Sequence, residues 1–512
     1  MKKYLLTLIT ACAALGISAQ EGLHVRSYWS NYNIPLEEVD SITMGIMSNA
    51  DKLPALMASD PDVSLFYEAL VLTHMADSLN VSIYDYTYTG PTSEESNYAS
   101  RYMDRNGYRS CVPITYDCRR FTAFVEPDSV YARYGINNIE DLKAYAAKIY
   151  DEVYPEDATV ADLTDRRNSL NRFVSYHLLD RYCDTGSLVA ATMNDFFGNG
   201  ISGCFLLWSR DAYDCYETMM PYSLMKVSYG RMTGYVHHIN RKYGLFNGGE
   251  QFNITGAPLV KDRCDNQASN GVYHCIDDII SYDAQTQNAV FYERMTFDLT
   301  TLSPEFANND IRHAQKSTIL PSRMMKNFSY AGEQHLVYEP GANGFWNYQV
   351  DELFLHPPYD SIGVTFKLPP MPAGTYQLCF GVVPMSHRGV VQFYIDDEPC
   401  GDPVDLRNTN MEGWFSDDGL TEEEIAAKEN VFRELGWMKG LNNYSCTNTG
   451  TNIMRIMSNT VRRIVGSYHT DGHTDHYLRI QPVDNSVKEI MLDYIQITPK
   501  AICEKELTYP YE

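Results

Sequence analysis

The chain has 512 residues, of which 44% are hydrophobic and 21% are charged. This composition is ordinary for folded domains and excludes a disordered or collagen-like chain. The formal net charge of −25 opposes general binding to nucleic acid or to an anionic membrane surface, because like charges repel. The 39 tyrosines are the unusual feature, and they indicate surfaces that contact amphipathic ligands such as sugars or other proteins.

The N-terminus predicts export. Two lysines precede an apolar stretch, and residues 17–19 (ISA) offer a small-residue cleavage site, so residues 1–19 have the pattern of a secretory signal peptide. A second cut stays open, because LITAC matches a lipobox that would leave Cys12 as a lipid-anchored N-terminus. Since residues 13–19 remain apolar, the soluble cut is favoured. We therefore expect a protein at the outer-membrane surface, in the periplasm or in the medium, without a transmembrane span.

Helical patterns come first in the chain and strand patterns follow. Apolar residues recur at helical spacing over 60–79 and again over 168–180. Residues 121–131 (FTAFVEPDSVY) predict a strand, a turn and a helix with Pro127 at its first position. Short β-type runs alternate with turn residues over 206–280, and Asn270-Gly271 predicts a hairpin. This order of elements indicates an α+β domain.

The last third of the chain has an all-β pattern. Runs such as GTYQLCFGVV and VVQFYIDD alternate with Pro and Gly turns over 336–500, as in a β-sandwich. One helix interrupts them, because Thr421 and Glu424 form a capping box and Gly436 is placed to end the helix. The class of residues 286–335 stays open.

Three fragments in the first half resemble the fasciclin-type domain of cell-surface proteins. They are FTAFVEPDSVY at 121–131, FVSYHLL at 173–179 and NGVYHCIDDII at 270–280, within a predicted domain at 46–285. Glu126 departs from the family pattern, which has a small or apolar residue there, and the spacing implies insertions. The resemblance implies an adhesion motif at Tyr176-His177. It also implies structural roles for Phe124, Pro127, Asn270, Gly271, His274, Ile276 and Asp277.

The second half resembles the galactose-binding-like jelly rolls that serve as carbohydrate-binding modules. The resemblance is carried by LPPMPAGTYQLCFG and by EIMLDYIQITP. It implies a possible structural calcium ligand at Asp493 and otherwise no cofactor. The combination of a signal peptide, a fasciclin-like domain and such a sandwich resembles the surface proteins of gut-type Bacteroidetes.

The sequence thus predicts a multidomain protein, an α+β fasciclin-like domain followed by an all-β jelly-roll sandwich. The expected order is a signal peptide at 1–19, an N-terminal segment at 20–45, the fasciclin-like domain at 46–285, a connector at 286–335, the jelly roll at 336–500 and a tail at 501–512.

Aromatic residues of the second half are the candidate glycan contacts. Sugars present a face of C–H groups and a rim of hydroxyls, so their receptors need a flat ring beside amides and carboxylates. Stretches such as GANGFWNY and NMEGWFSDD supply both. The alternative is that these rings pack the core. The candidates are Trp346, Tyr348, Trp414, Trp437 and Tyr444.

Histidines supply the weaker candidates. His469, His473 and His476 could bind a metal if their side chains converged, but a solvated loop is the simpler interpretation. His177 falls on the apolar stripe of its predicted helix, which favours a buried, hydrogen-bonded histidine over an adhesion contact. The same interpretation holds for His274.

No sequence motif of catalysis is present. The chain has no G-x-S-x-G, H-E-x-x-H or P-loop, although 66 Asp and Glu residues leave a glycosidase-like pair possible. Twelve cysteines in an exported chain permit disulfides, of which Cys111–Cys118 would close a small loop. We expect a non-catalytic adhesion protein that contacts glycan or surface proteins. The alternatives are a structural envelope protein and, more distantly, a carbohydrate-active hydrolase.

Overall fold

A computed structural model describes two compact units of the chain, Met1–Asn49 and Ala50–Glu512. The first unit contains the antiparallel hairpin of β1 (Gly22–Arg26) and β2 (Asn31–Pro35). The described residues are 22–26, 31–35, 51–102, 111–189, 205–206, 211–230, 233–245, 251–312, 314, 316–331, 334–340, 348–356, 363–386, 388–441, 444–445, 454–483, 487 and 489–504.

Most helices of the second unit lie in its first half. The described helices are α1 (Leu53–Ala58), α2 (Ser64–Leu72), α3 (Met75–Leu79), α4 (Ser93–Arg101), α5 (Asp128–Arg133), α6 (Ile139–Val153), α7 (Ser169–Tyr176), α8 (Ala284–Ala289), α9 (Pro304–Asn308) and α10 (Glu422–Glu434).

Short strands follow in the same half. They are β3 (Val112–Pro113), β4 (Phe121–Val125), β5 (Leu178–Leu179), β6 (Phe205–Leu206), β7 (Asp211–Glu217), β8 (Leu224–Gly230), β9 (His238–Ile239), β10 (Lys242–Leu245), β11 (Gln251–Ile254), β12 (Ala257–Pro258), β13 (Asn266–Ala268) and β14 (Gly271–Cys275).

The remaining strands belong to the second half. They are β15 (Met295–Asp298), β16 (Thr318–Leu320), β17 (Phe328–Tyr330), β18 (His335–Pro340), β19 (Asp351–His356), β20 (Val364–Lys367), β21 (Gly374–Val382), β22 (Val390–Ile395), β23 (Glu398–Pro399), β24 (Val404–Asp405), β25 (Trp437–Lys439), β26 (Tyr444–Ser445), β27 (Val461–Thr470), β28 (Tyr477–Pro482), β29 (Ile490–Leu492) and β30 (Tyr494–Pro499).

The three fasciclin-like fragments meet in one sheet. Its strand order is β13-β14-β4-β5, with β14 parallel to β4 and residues 271–275 opposite 121–125. Helix α7 begins at the side chain of Asn168, which accepts the backbone N–H of Leu170, and ends where the chain enters β5. The helix is therefore shorter than the predicted 168–180. The predicted helix over 60–79 is divided into α2 and α3, because His74 adopts a left-handed conformation between them.

Three further sheets dominate the second half, in strand orders β15-β30-β21-β27-β25, β29-β19-β18-β16-β3 and β17-β20-β28-β22-β23. Residues 286–335, whose class the sequence leaves open, supply β15, β16 and β17 to them. The predicted capping box is confirmed, since Thr421 and Glu424 bond reciprocally at the start of α10, and Gly436 ends the helix at φ 83°. The chain is thus a mixed α and β protein, and the jelly-roll topology stays a prediction.

The two halves interlock. Strand β3 of the first half pairs in parallel with β16, and β6 pairs with β26. Tyr348 and Tyr494 lie in the hydrophobic core around the fasciclin-like sheet, whereas Ile114 and Leu224 lie in the core between the second-half sheets. Strand pairing and shared cores thus join the two predicted regions, and the bounds 46–285 and 336–500 stay predictions.

Candidate functional site

Three exposed tyrosines gather on one short ribbon. We call Tyr84, Tyr86 and Tyr116 the tyrosine surface. Their exposed fractions are 42%, 80% and 66%. The ring centroid of Tyr84 lies 6.4 Å from that of Tyr86 and 5.3 Å from that of Tyr116. Large aromatic side chains usually bury their rings, so three adjacent exposed rings indicate a contact surface.

The backbone explains why these rings meet. Tyr84 and Cys118 form an antiparallel bridge, flanked by hydrogen bonds from the Asp85 N–H to the Asp117 carbonyl (2.9 Å) and from the Arg119 N–H to the Ile83 carbonyl (2.7 Å). Tyr86 lies in the turn that follows this bridge, where the Tyr88 N–H donates to the Asp85 carbonyl at 3.2 Å. The bridge brings the segment of Tyr84 and Tyr86 beside the segment that holds Tyr116, and the three rings lie together.

Tyr88, the third tyrosine of that run, turns inward. Its hydroxyl donates to the Ile114 carbonyl at 2.8 Å, and the Arg323 guanidinium lies 5.1 Å from its ring centroid. Burial raises the pKa of Tyr88 to about 12. The tyrosine surface thus ends where the chain turns into the core.

A polar cleft lies behind the ribbon, with a volume of about 390 Å³. Its four cations each have an acidic partner: Arg119 pairs with Asp85, Arg120 with Asp310, Arg323 with Glu95 and Lys326 with Asp180. Two acids of the lining, Asp117 and Glu305, have no ion pair among the described residues.

These two carboxyl groups have shifted acidities. Burial is the main cause of the raised pKa of Asp117, and the nearby charge of Asp85 adds to it. Burial likewise raises the pKa of Glu305, and the hydrogen bond from the Ser303 hydroxyl lowers it by less. Asp117 accepts one N–H of the Asn309 side chain at 3.2 Å. A carboxyl group with a raised pKa can accept a hydrogen bond from a ligand hydroxyl or, when protonated, donate one to it. Carboxyl groups of this type also serve in acid–base catalysis.

The predicted adhesion motif is buried. Tyr176 and His177 have no exposed surface, and the Tyr176 hydroxyl donates to the Leu224 carbonyl at 3.1 Å. His177 Nδ1 lies 2.7 Å from the Phe173 carbonyl oxygen, and Nε2 lies 2.7 Å from Glu126 Oε1. A buried, fully hydrogen-bonded pair has no surface for a partner, which favours the structural interpretation of this motif.

Glu126 is the departure from the fasciclin pattern, and it has a structural use. Its carboxylate is fully buried and accepts hydrogen bonds from the Tyr131 hydroxyl (2.8 Å) and the Ile280 N–H (3.2 Å), besides its contact with His177. The family-atypical residue therefore connects helices α5 and α7 to the segment that follows β14.

Asn270 and Gly271 join the opening helix to the sheet. The Asn270 amide accepts the Leu53 N–H (2.9 Å) and donates to the Leu79 carbonyl (2.8 Å). A Cβ at Gly271 would lie 2.5 Å from the Phe121 carbonyl oxygen, so β14 can approach β4 only with glycine there. The hairpin is confirmed, with Ala268 opposite Gly271 and residues 269–270 in the turn.

The other fasciclin-motif residues divide between core and surface. Phe124 and Ile276 are fully buried, and Pro127 is the N-cap residue of α5 rather than its first residue. His274 is buried, its Nδ1 accepts the Asp265 N–H and its Nε2 lies 2.9 Å from the Cys183 carbonyl oxygen. Asp277 is exposed and pairs with Arg133 at 3.0 Å.

The predicted aromatic platform of the second half is not assembled by the described residues. Tyr348 is a correction, because only 1% of it is exposed and its ring packs 5.2 Å from Tyr494. Trp414 and Trp437 are half-buried against the second core, under Lys439 and Arg463 respectively. Trp346 and the side chain of Tyr444 lie outside the described residues.

The candidate metal ligands do not converge. His469 Nδ1 lies 3.2 Å from the Thr375 hydroxyl, His473 lies in a turn, and His476 Nδ1 lies 2.7 Å from Asp396 Oδ2. Asp493 is buried and accepts the Tyr348 N–H at 3.0 Å. Within the described ranges, no group of three or more His, Cys, Asp or Glu side chains is arranged to hold a metal ion. Cys118 is a free thiol, so the Cys111–Cys118 disulfide that the sequence permits is not formed.

Two features escaped sequence reasoning. The tyrosine surface lies in the stretch 84–118, which the sequence marks only as an insertion rich in tyrosine. The run YDYTY shows three tyrosines close in sequence, but the turn at Tyr86 and the pairing with the segment of Tyr116 depend on tertiary structure. The sequence shows that Glu126 departs from the fasciclin pattern, but it does not show that Glu126 is buried beside His177.

Comparison with known proteins adds little. No family model matches the chain, and no curated protein matches it. Among solved structures, it is similar to a FAS1 domain pair from the insect cell adhesion molecule Fasciclin I, at 16% identity and a TM-score of 0.22 over 45% of this chain and 50% of that one. It is also similar to a Paenibacillus xanthan lyase, at 11% identity and a TM-score of 0.24 over 55% of this chain and 21% of that one. A Bacteroides uniformis β-glucuronidase is similar at 9% identity and a TM-score of 0.20, over 54% of this chain and 24% of that one.

The chain spans half or less of the length of these matched structures. At TM-scores of this size we draw no conclusion about function from the likenesses. Searched over the described residues, no helix is long and apolar enough to cross a membrane.

Proposed function

We propose that this protein is an exported, non-catalytic adhesion protein that binds glycan, and that the tyrosine surface is its glycan contact. The observation that carries the proposal is the group of three exposed rings at Tyr84, Tyr86 and Tyr116. Export rests on the signal-peptide pattern of residues 1–19, with lipid anchoring at Cys12 as the alternative cut.

Tyrosine rings suit sugars for a physical reason. Each ring offers a flat apolar face to the C–H face of a sugar, and its hydroxyl remains available to the sugar rim. Covering one sugar face contributes on the order of 1–2 kcal/mol by buried area. Each ring therefore changes the dissociation constant by roughly tenfold, and a few rings give micromolar to millimolar affinity.

The proposal places the contact in the first half of the chain rather than at the second-half tryptophans. Tyr348 has no accessible ring, and Trp414 and Trp437 are half-buried against the core. We propose that binding needs no cofactor and that nucleic acid is not a partner, since the net charge is −25.

A glycan array probed with the full mature chain tests the proposal. We expect the wild type to bind a set of glycans and Tyr86→Ala to lose about tenfold in affinity. Tyr235→Ala is the matched control, because Tyr235 is 57% exposed outside the tyrosine surface. Absence of glycan binding, together with Tyr86-dependent binding to surface proteins, would favour the alternative of a structural envelope protein.

A carbohydrate-active hydrolase is the second candidate, and one observation favours it. Asp117 and Glu305 face the same cleft, have raised pKa values and lack a cationic partner within the described residues. Glycosidases use two carboxyl groups of different acidity. Release of reducing sugar from a bound glycan, abolished by Glu305→Gln, would replace the binding proposal with this one.

A further inference from the structure

A second cavity, of about 310 Å³, lies away from the tyrosine surface. It is lined by residues of β7 to β12 and by residues between 278 and 295. We call its apolar lining residues the apolar wall; they are Leu224, Ile239, Ile254, Ala257, Val290 and Met295. Gly256 also lines it, with φ 69°, and a Cβ there would lie 2.3 Å from the Ile239 carbonyl oxygen. The close approach of these two segments, which glycine alone permits, shapes this wall.

Charged side chains also line the cavity. We call Lys226, Lys242 and Glu293 the lysine end. Glu293 pairs with Lys226 through Oε1 and lies 3.1 Å from Lys242 Nζ through Oε2. The side chains of the three residues are 14%, 8% and 17% exposed, respectively. Two ammonium groups thus share one carboxylate in a site largely removed from water.

No other described group neutralises the second positive charge. Glu293 is the sole acid within 4 Å of either ammonium group among the described residues. The thiol of Cys215, which also lines the cavity, stays protonated because burial raises its pKa to about 12. Burial lowers the pKa of Lys242, and the charge of Lys226 adds to this shift. A buried ammonium group with few acceptors is stabilised by an added anion.

Two further acids, Asp278 and Asp283, also line the cavity. Asp283 caps α8 by accepting the Thr286 N–H at 2.7 Å, and Asp278 accepts the Ile279 N–H at 2.9 Å and the Tyr134 hydroxyl. Both are partly exposed, so water and salt screen their charges. Among the charged residues of the lining, the lysine end is therefore buried, whereas the two further acids are partly exposed.

We propose that this cavity binds a small organic carboxylate with an apolar body. Its carboxylate lies at the lysine end, where each ammonium group carries three N–H donors, and its apolar body packs on the wall between Leu224 and Met295. The volume lies at the lower end of the range for small-molecule sites, which selects a short ligand.

Calorimetry with hexanoate on the full mature chain tests the proposal. Hexan-1-ol and hexylamine have the same apolar body without the negative charge. We expect hexanoate to bind at least tenfold more tightly than either. Lys242→Met keeps an unbranched side chain and removes the charge, and it should reduce hexanoate affinity to that of hexan-1-ol. Lys148→Met, at an exposed lysine of α6, is the matched control and should change nothing.

The comparison of the three probes on the wild type needs no variant, so it remains decisive if Lys242→Met does not fold. Equal affinity for hexanoate and hexan-1-ol, or preference for hexylamine, would overturn the proposal. So would a folded Lys242→Met that binds hexanoate as the wild type does. These outcomes are independent of glycan binding at Tyr86, because the two sites share no residue.

Discussion

The buried pair of Glu126 and His177 gives the sharpest test of the fold. Replacing Glu126 with alanine removes the acceptor of the Tyr131 hydroxyl and of the Ile280 N–H, and it removes the hydrogen-bond partner of the His177 ring. Each buried polar group left without its partner costs about 1–3 kcal/mol, and three groups lose their partner at once. We therefore expect Glu126→Ala to lower the free energy of unfolding by about 3–5 kcal/mol.

A double-mutant cycle isolates the contact between the two side chains. His177→Ala removes the same contact from the other side and also the ring packing against Phe173, whose centroid lies 4.6 Å away. The double variant should therefore lose less than the sum of the single variants, by about 1–3 kcal/mol. Glu126→Gln keeps an acceptor oxygen and should lose less than Glu126→Ala.

Urea unfolding followed by circular dichroism measures these differences, provided that the slope of the transition is unchanged between variants. A loss below about 1 kcal/mol for Glu126→Ala, or exact additivity of the two single variants, would refute the reasoning. Retained stability together with lost adhesion in His177→Ala would instead favour the adhesion role of the motif.

Three further outcomes follow from the structure. Gly271→Ala should lower the urea midpoint strongly, because its Cβ would lie 2.5 Å from a backbone oxygen of β4; an unchanged midpoint would contradict this close approach. Burial raises the pKa of Asp493 well above its usual range, so the folded state binds this proton more tightly and stability falls as pH rises above about 4. Asp493→Asn should therefore melt at a higher temperature than the wild type at neutral pH, but not at about pH 4. If calcium raises the melting temperature of the wild type and not that of the variant, Asp493 belongs to a cation site instead. The fragment 46–285 should unfold at lower urea than the full chain, because it lacks Tyr348 and Tyr494 of its core; an equal midpoint would show that these two residues do not stabilise it.

Local patterns predicted much of the fold. The strand–turn–helix at 121–131, the hairpin before Gly271 and the capped helix after Thr421 depend on residues close in sequence, and all are present. The break at His74 was not predictable, because the apolar spacing continues across it. Strand β3 was not predictable either, since a two-residue strand forms only when its distant partner β16 is in place.

The candidate site was predicted less well, for a physical reason. Composition showed that tyrosine is abundant, but exposure decides whether a ring can bind a ligand, and exposure is a tertiary property. Trp414 and Tyr86 both stand among polar residues in the sequence, yet Trp414 packs on the core while Tyr86 is 80% exposed. The lysine end was invisible for the same reason, since Lys226 and Glu293 are 67 residues apart.

Titration of an array-selected oligosaccharide into the wild type, Tyr86→Ala and Trp414→Ala tests the central claim most directly. The tyrosine surface predicts that Tyr86→Ala weakens binding about tenfold without change in melting temperature, because the side chain is 80% exposed. It also predicts that Trp414→Ala binds as the wild type does and melts lower, because Trp414 packs on the second core. Unchanged binding in Tyr86→Ala, with binding lost in a stably folded Trp414→Ala, would contradict the claim and place the glycan contact in the second half.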